Sequence, residues 1–153
     1  MIFDRTQNDV DAAIRLRAEK VQTFQELSAS DVETLERGLI TINTLNRIEN
    51  KQDELKSLIN ALGYWNTNIT NKTWNETQIF DIVEFQRIVD NTNILRTAFF
   101  TYNDTPNTPG VSYYYEDINS LEKILNDLDV MINDVKSRYR QCGTFQCGEV
   151  NQN

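Results

Sequence analysis

Histidine is absent from all 153 positions of this chain. Its absence removes the commonest general base, the commonest zinc ligand and the usual pH switch together. Proline occurs twice and glycine five times. Such scarcity argues against the many tight turns of a sandwich and for long helices with polar connections. No run approaches the roughly 18 to 20 apolar residues a membrane-spanning helix needs. The opening Met1-Ile2-Phe3-Asp4-Arg5 also lacks the basic-then-apolar layout of a signal peptide, so a soluble chain is expected. Basic residues are few as well. Fifteen Lys and Arg stand against twenty-three Asp and Glu, for a net charge of -8. With no basic cluster to offset that charge, phosphate backbones are repelled and nucleic acid is not an expected partner.

What is present is enough for a core, since 39% of residues are hydrophobic and 10% aromatic. The organisation lies in a threefold repeat. Thr41, Ile42, Leu45, Arg47, Ile48 and Leu55 are matched by Asp81, Ile82, Phe85, Arg87, Ile88 and Leu95. Asp117, Ile118, Leu121, Lys123, Ile124 and Met131 match them again. Each copy sets a capping residue type before apolar positions at helical spacing, so each reads as an amphipathic helix of one design. The pattern predicts an all-α fold, a small antiparallel bundle of three long helices plus one or two shorter N-terminal helices. Residues 1–140 form one helical domain in this reading, and 141–153 a cysteine-containing tail.

Local signals place the elements. Thr6 opens a first helix that runs to about Thr23. Ser30 with Glu33 reads as a capping box for a short second helix that Gly38 closes or bends. Thr41 starts the next, with Ile40 and Leu45 as a hydrophobic staple, and Gly63 stops it. Phe80 and Phe85 repeat the staple around Asp81, which outranks the rival box of Thr73 and Glu76. That helix runs to Phe100. Tyr102 to Gly110 is a loop, and a last helix spans about Asp117 to Arg140.

Candidate chemistry is sparse. The carboxylates at Asp81, Glu84, Glu116 and Asp117 fall at helix starts, where they complement the macrodipole and require no catalytic explanation. Cys142 and Cys147 enclose four residues, and they form either a local disulfide or two inert thiols. Two thiolates without histidine do not complete a structural zinc site, so neither metal nor cofactor is expected. Asn68, Asn71 and Asn75 open N-glycosylation patterns of the kind that arise by chance in an Asn- and Thr-rich loop. Trp65, Trp74, Tyr113, Tyr114 and Tyr115 are candidate interface residues, since aromatic side chains give large rigid contact area; the plainer reading has them seal the ends of the bundle. Arg47, Arg87 and Lys123 occupy one repeat position. A solvated flank with the stem on apolar surface is the first expectation for them. Ion pairs across helices, with Glu49, Asp90 or Asp127, are the alternative.

The order of motifs resembles a helical module of phages and prophages of Firmicutes, clostridia above all, standing alone or attached to tail-fibre and baseplate-type proteins. The likeness runs through Arg5-Thr6-Gln7-Asn8-Asp9-Val10, Leu45-Asn46-Arg47-Ile48-Glu49, Gly63-Tyr64, Trp74, Phe85-Gln86-Arg87-Ile88, Asn91, Leu95-Arg96, Tyr115 to Leu125 and Gly148-Glu149. The paired cysteines and the Asn-rich loop depart from it. The resemblance implies a virion structural protein of the tail, baseplate or fibre apparatus. Such a protein would be no enzyme, and its partners would be other virion proteins or copies of itself in a symmetric oligomer. A carbohydrate- or cell-surface-binding module using the exposed aromatics is the alternative.

Overall fold

The computed structural model describes residues 1–65, 67–110 and 114–141. Among the described residues the chain is all-α, with five helices and no strand: α1 (Gln7–Thr23), α2 (Ala29–Gly38), α3 (Ile42–Ala61), α4 (Ile82–Ala98) and α5 (Tyr115–Gln141). Thr6, Thr41 and Asp81 cap the starts of α1, α3 and α4 as the sequence indicates. Gly63, at φ +90°, follows the end of α3. The start of α2 is a correction. Ser28, not Ser30, is the cap, and its box partner is Asp31 rather than Glu33. Two overlapping Ser-x-x-acid patterns compete there, and an ion pair from Lys20 to Asp31 at 2.9 Å favours the earlier one.

The expected antiparallel arrangement is also corrected, because α3, α4 and α5 run parallel. Early α3 meets early α5 through Arg47 and Glu122 at 2.9 Å, and a turn later Lys51 meets Asp129 at 3.0 Å. Against α4, Glu49 bonds Arg87, and Gln52 bonds the Ile88 carbonyl and Thr92. At the far end Tyr64, just past α3, packs its ring on Phe99, just past α4, with centroids 5.1 Å apart. α3 and α4 are therefore each followed by a connection that travels back toward the starting end. Residues 67–81 return along α3, where Thr67 bonds Asn60, Lys56 bonds the Ile69 carbonyl, Lys72 bonds Glu49 and Trp74 bonds Asn46. Residues 99–110 return likewise along α4 and α5, with Tyr102 on Asp134, Thr105 on Asp127 and Thr108 on Asn93. An extended chain rises about 3.3 Å per residue against 1.5 Å in a helix, so these connections are long enough to make the trip.

The core explains why three copies of one pattern suit a parallel bundle. Leu45, Ile48, Gln52, Leu55 and Ile59 of α3 alternate spacings of three and four, the seam of a heptad. So do Phe85, Ile88, Thr92, Leu95 and Phe99, and in α5 Leu121, Ile124, Leu128 and Met131 take the matching places. All but the half-buried Met131 are buried. Running in one direction, equivalent positions share a level. Ile48, Ile88 and Ile124 belong to one fully buried layer, and the next level is polar on two sides, where Gln52 donates to Thr92 at 2.8 Å. Parallel helices also align their dipoles, which is unfavourable, and acidic side chains gather where the positive ends meet. Asp81 and Glu84 open α4, while Glu116 and Asp117 open α5.

The α1–α2 pair forms a separate antiparallel hairpin. Arg37 meets Asp9 near its base at 3.0 Å, and Lys20 meets Asp31 near its tip. Gly38 is the last residue of α2, as the sequence indicates, and its lack of a side chain has a second use. A Cβ there would lie 2.2 Å from the Asp9 carbonyl oxygen, so glycine permits the close helix crossing. The hairpin is tied to the bundle at its base, where the buried Arg5 reaches Glu122.

Candidate interaction surface

The repeat cations come first, because the fold brings them to one level. Arg87 grips Glu49 with two nitrogens, at 2.6 and 2.9 Å, and holds Glu84 at 2.9 Å. These bonds push the guanidinium pKa further up. Arg47 bonds Glu122, which also takes Arg5. Lys123 bonds Asp127 one turn along α5. None of the three is a plain solvated flank. Two of them are ion pairs across helices, because the parallel register sets a buried carboxylate of the neighbouring helix at their level. Glu49 and Asp127, two of the partners the sequence offers, take Arg87 and Lys123, whereas Glu122, 0% exposed, is a partner that the sequence reading did not name. The available signal is a carboxylate flanking a strictly apolar seam, as Glu122 does between Leu121 and Ile124.

Trp74 is a correction among the aromatic candidates. It is buried, its indole N–H donates to Glu49 at 2.6 Å, and its backbone exchanges bonds with the Asn46 amide. The Lys72 ammonium lies 4.2 Å from its ring centre. Trp74 therefore anchors the return connection and presents nothing outward. Trp65 is 80% exposed and Tyr114 70%, with Tyr115 half-buried. They form no joint platform, since Trp65 follows the end of α3 while Tyr114 precedes the start of α5, at opposite ends of a parallel bundle about 30 Å long. Tyr113, Cys142 and Cys147 lie outside the described residues. Of the glycosylation-like asparagines, Asn71 is half-buried and bonds the Glu49 carbonyl.

The hairpin supplies a surface that the sequence reading did not single out. Only Ala13 of α1 and Gly38 of α2 are buried. Ile14, Val21, Phe24, Leu27 and Val32 are exposed, Phe24 at 95%. Phe24 also sits at φ 52°, the left-handed region that a bulky residue adopts only at a cost of about 1 kcal/mol. Where the hairpin joins the bundle, an open cleft of about 470 Å³ is walled by Val10, Arg17, Leu39, Ile40, Tyr114 and Ile118. Arg17 makes no ion pair among the described residues, whereas the carboxylates Asp9, Asp31, Glu49, Glu84, Glu122 and Asp127 are all engaged.

The comparisons with known proteins bring no relative: no family model, no curated protein and no solved structure matches the chain. Among the described residues, no helix is long and apolar enough to cross a membrane, and no group of three or more acidic or cysteine side chains is placed to hold a metal ion.

Proposed function

We propose that this chain is a non-enzymatic helical assembly module of a phage particle, a virion structural protein of the tail, baseplate or fibre apparatus that works through protein-protein contacts. The observation that carries the proposal is the uncovered apolar face of the α1–α2 hairpin, which rises from a bundle whose own apolar seams are buried against one another. A soluble monomer covers most of its large apolar side chains, and a helical face left bare is the form in which partners are recognised. The phage context rests on the resemblance in motif order, and the pseudo-threefold bundle suits a symmetric particle in which weak contacts multiply. The test is to purify particles from a strain that encodes the chain and to measure its copy number by quantitative mass spectrometry. A fixed stoichiometry with the known tail proteins supports the proposal, and absence from intact particles defeats it.

The reading as a surface-binding module keeps one observation of its own. Trp65 and Phe100 expose their rings beside Tyr64 at the other end of the bundle, and exposed aromatic faces stack on sugar rings. Under that reading Trp65→Ala abolishes binding to cell-wall glycan; under the assembly reading neither wild type nor variant binds it.

A further inference from the structure

The apolar face of the hairpin has a definite geometry. In α1, Asp9, Ala13, Leu16 and Lys20 are spaced by four, three and four, and they turn toward α2, where Asp9 meets Arg37, Ala13 nears Gly38 and Lys20 meets Asp31. One residue further on, Val10, Ile14, Arg17, Val21 and Phe24 repeat the same heptad spacing about 100° around the helix. In α2, Val32 stands in the same relation to Asp31, and Leu39 follows Gly38 just past the end of the helix, in extended backbone. Because the two helices are antiparallel, a step of one residue swings their side chains in opposite senses, so both second seams emerge on one side of the hairpin. Two helices with two seams each are half of a four-helix bundle.

We infer that the other half is the same hairpin from a second copy of this chain. Charge distinguishes this occupant from others. From Arg15 to Lys20, α1 carries three cations and one anion, whereas α2 carries Asp31, Glu33 and Glu36 against Arg37. Arg15 and Arg17 on one helix, and Glu33 on the other, have no ion-pair partner among the described residues. A two-fold axis along the hairpin sets α1 over α2 of the second copy, apolar seam on apolar seam, and brings the Arg15 flank beside the Glu33 flank on both sides. The pairing is isologous and closes on itself. Placing Phe24 in the left-handed region at the hairpin turn, where glycine or asparagine is the usual choice, leaves a large ring at the end of this seam.

The inference deepens the assembly reading by naming a partner, and the two can fail separately: a dimer absent from particles defeats the function, and a monomer built into particles defeats the dimer. Sedimentation equilibrium on the full chain tests it. At roughly 0.1 mM, above the micromolar range of weak specific interfaces, the wild type is expected to be dimeric. Val21→Glu, at an exposed position, and Phe24→Ser, outside the helix, are both expected to be monomeric with unchanged helical circular dichroism. Arg15→Glu is expected to weaken the dimer about tenfold, and adding Glu33→Arg to restore it. A monomeric wild type at that concentration overturns the inference, as does a Val21→Glu and Phe24→Ser double variant that folds and stays dimeric. A monomer whose hairpin binds a different particle protein also overturns it, in favour of that partner.

Discussion

At the scale of single residues, Glu49 joins more of this molecule than any residue of the repeat. Its carboxylate takes two nitrogens of Arg87, the Trp74 indole and the Lys72 amide, uniting α3, α4 and the return connection. Glu49→Ala removes a buried anion and strands the groups around it, so it is expected to lower stability by about 3 kcal/mol in urea titration. Lys123→Ala breaks an i,i+4 pair whose cation is one-third exposed, and it is expected to cost under about 1 kcal/mol. Gln52 behaves in the opposite way. Its Oε1 is buried without a hydrogen-bond partner in the described structure, and Thr92 keeps its own bond to the Ile88 carbonyl if Gln52 is replaced. Gln52→Leu should therefore leave stability unchanged or raise it by about 1 kcal/mol in the same titration. The repeat made the equivalence of Arg47, Arg87 and Lys123 legible in the sequence. Glu49 and Asp127 were readable among their possible partners; Glu122 was not, because a counter-ion on a neighbouring helix depends on the direction in which that helix runs.

Among the elements, helix starts were the most readable. Thr6, Thr41 and Asp81 act locally, through a side-chain oxygen and an amide three residues on, so tertiary context does little to alter them. Helix direction was unreadable for the converse reason: a heptad seam looks the same in parallel and antiparallel bundles. What decided it were connections long enough to return, pinned by Thr67, Trp74 and Thr105, which composition alone marks only as polar loop. The hairpin is the element most exposed to acid. Bonds from Thr6 hold the Asp9 carboxyl below its ordinary value, and bonds from Ser28, then Lys20, hold Asp31 down at about 2 against an ordinary 3.8. Both pKa values are depressed in the folded state, so the stability they contribute is complete above the unfolded values and is lost as pH falls through the folded ones. Helicity of the hairpin is expected to drop between about pH 4 and 2, with the Asp31 side-chain resonance titrating near 2 by NMR. Gly38→Ala forces a methyl into the Asp9 backbone and is expected to destabilise the hairpin by about 2 kcal/mol, read as lost amide protection in α1 and α2.

At the scale of the whole molecule, two parts differ in how completely their apolar faces are covered. The parallel bundle of α3, α4 and α5 is closed, with a layered core and its buried carboxylates paired. The hairpin is open, joined at Arg5 and at the short link into α3, and its second apolar seam meets no other element over most of its length. The central claim is that this open face is an assembly surface in the particle. A cryo-EM map of the native phage particle tests it most directly. The chain is expected in symmetric multiple copies, with protein density covering Ile14, Val21 and Phe24. A map in which the chain occupies the particle and those three side chains face solvent would contradict it.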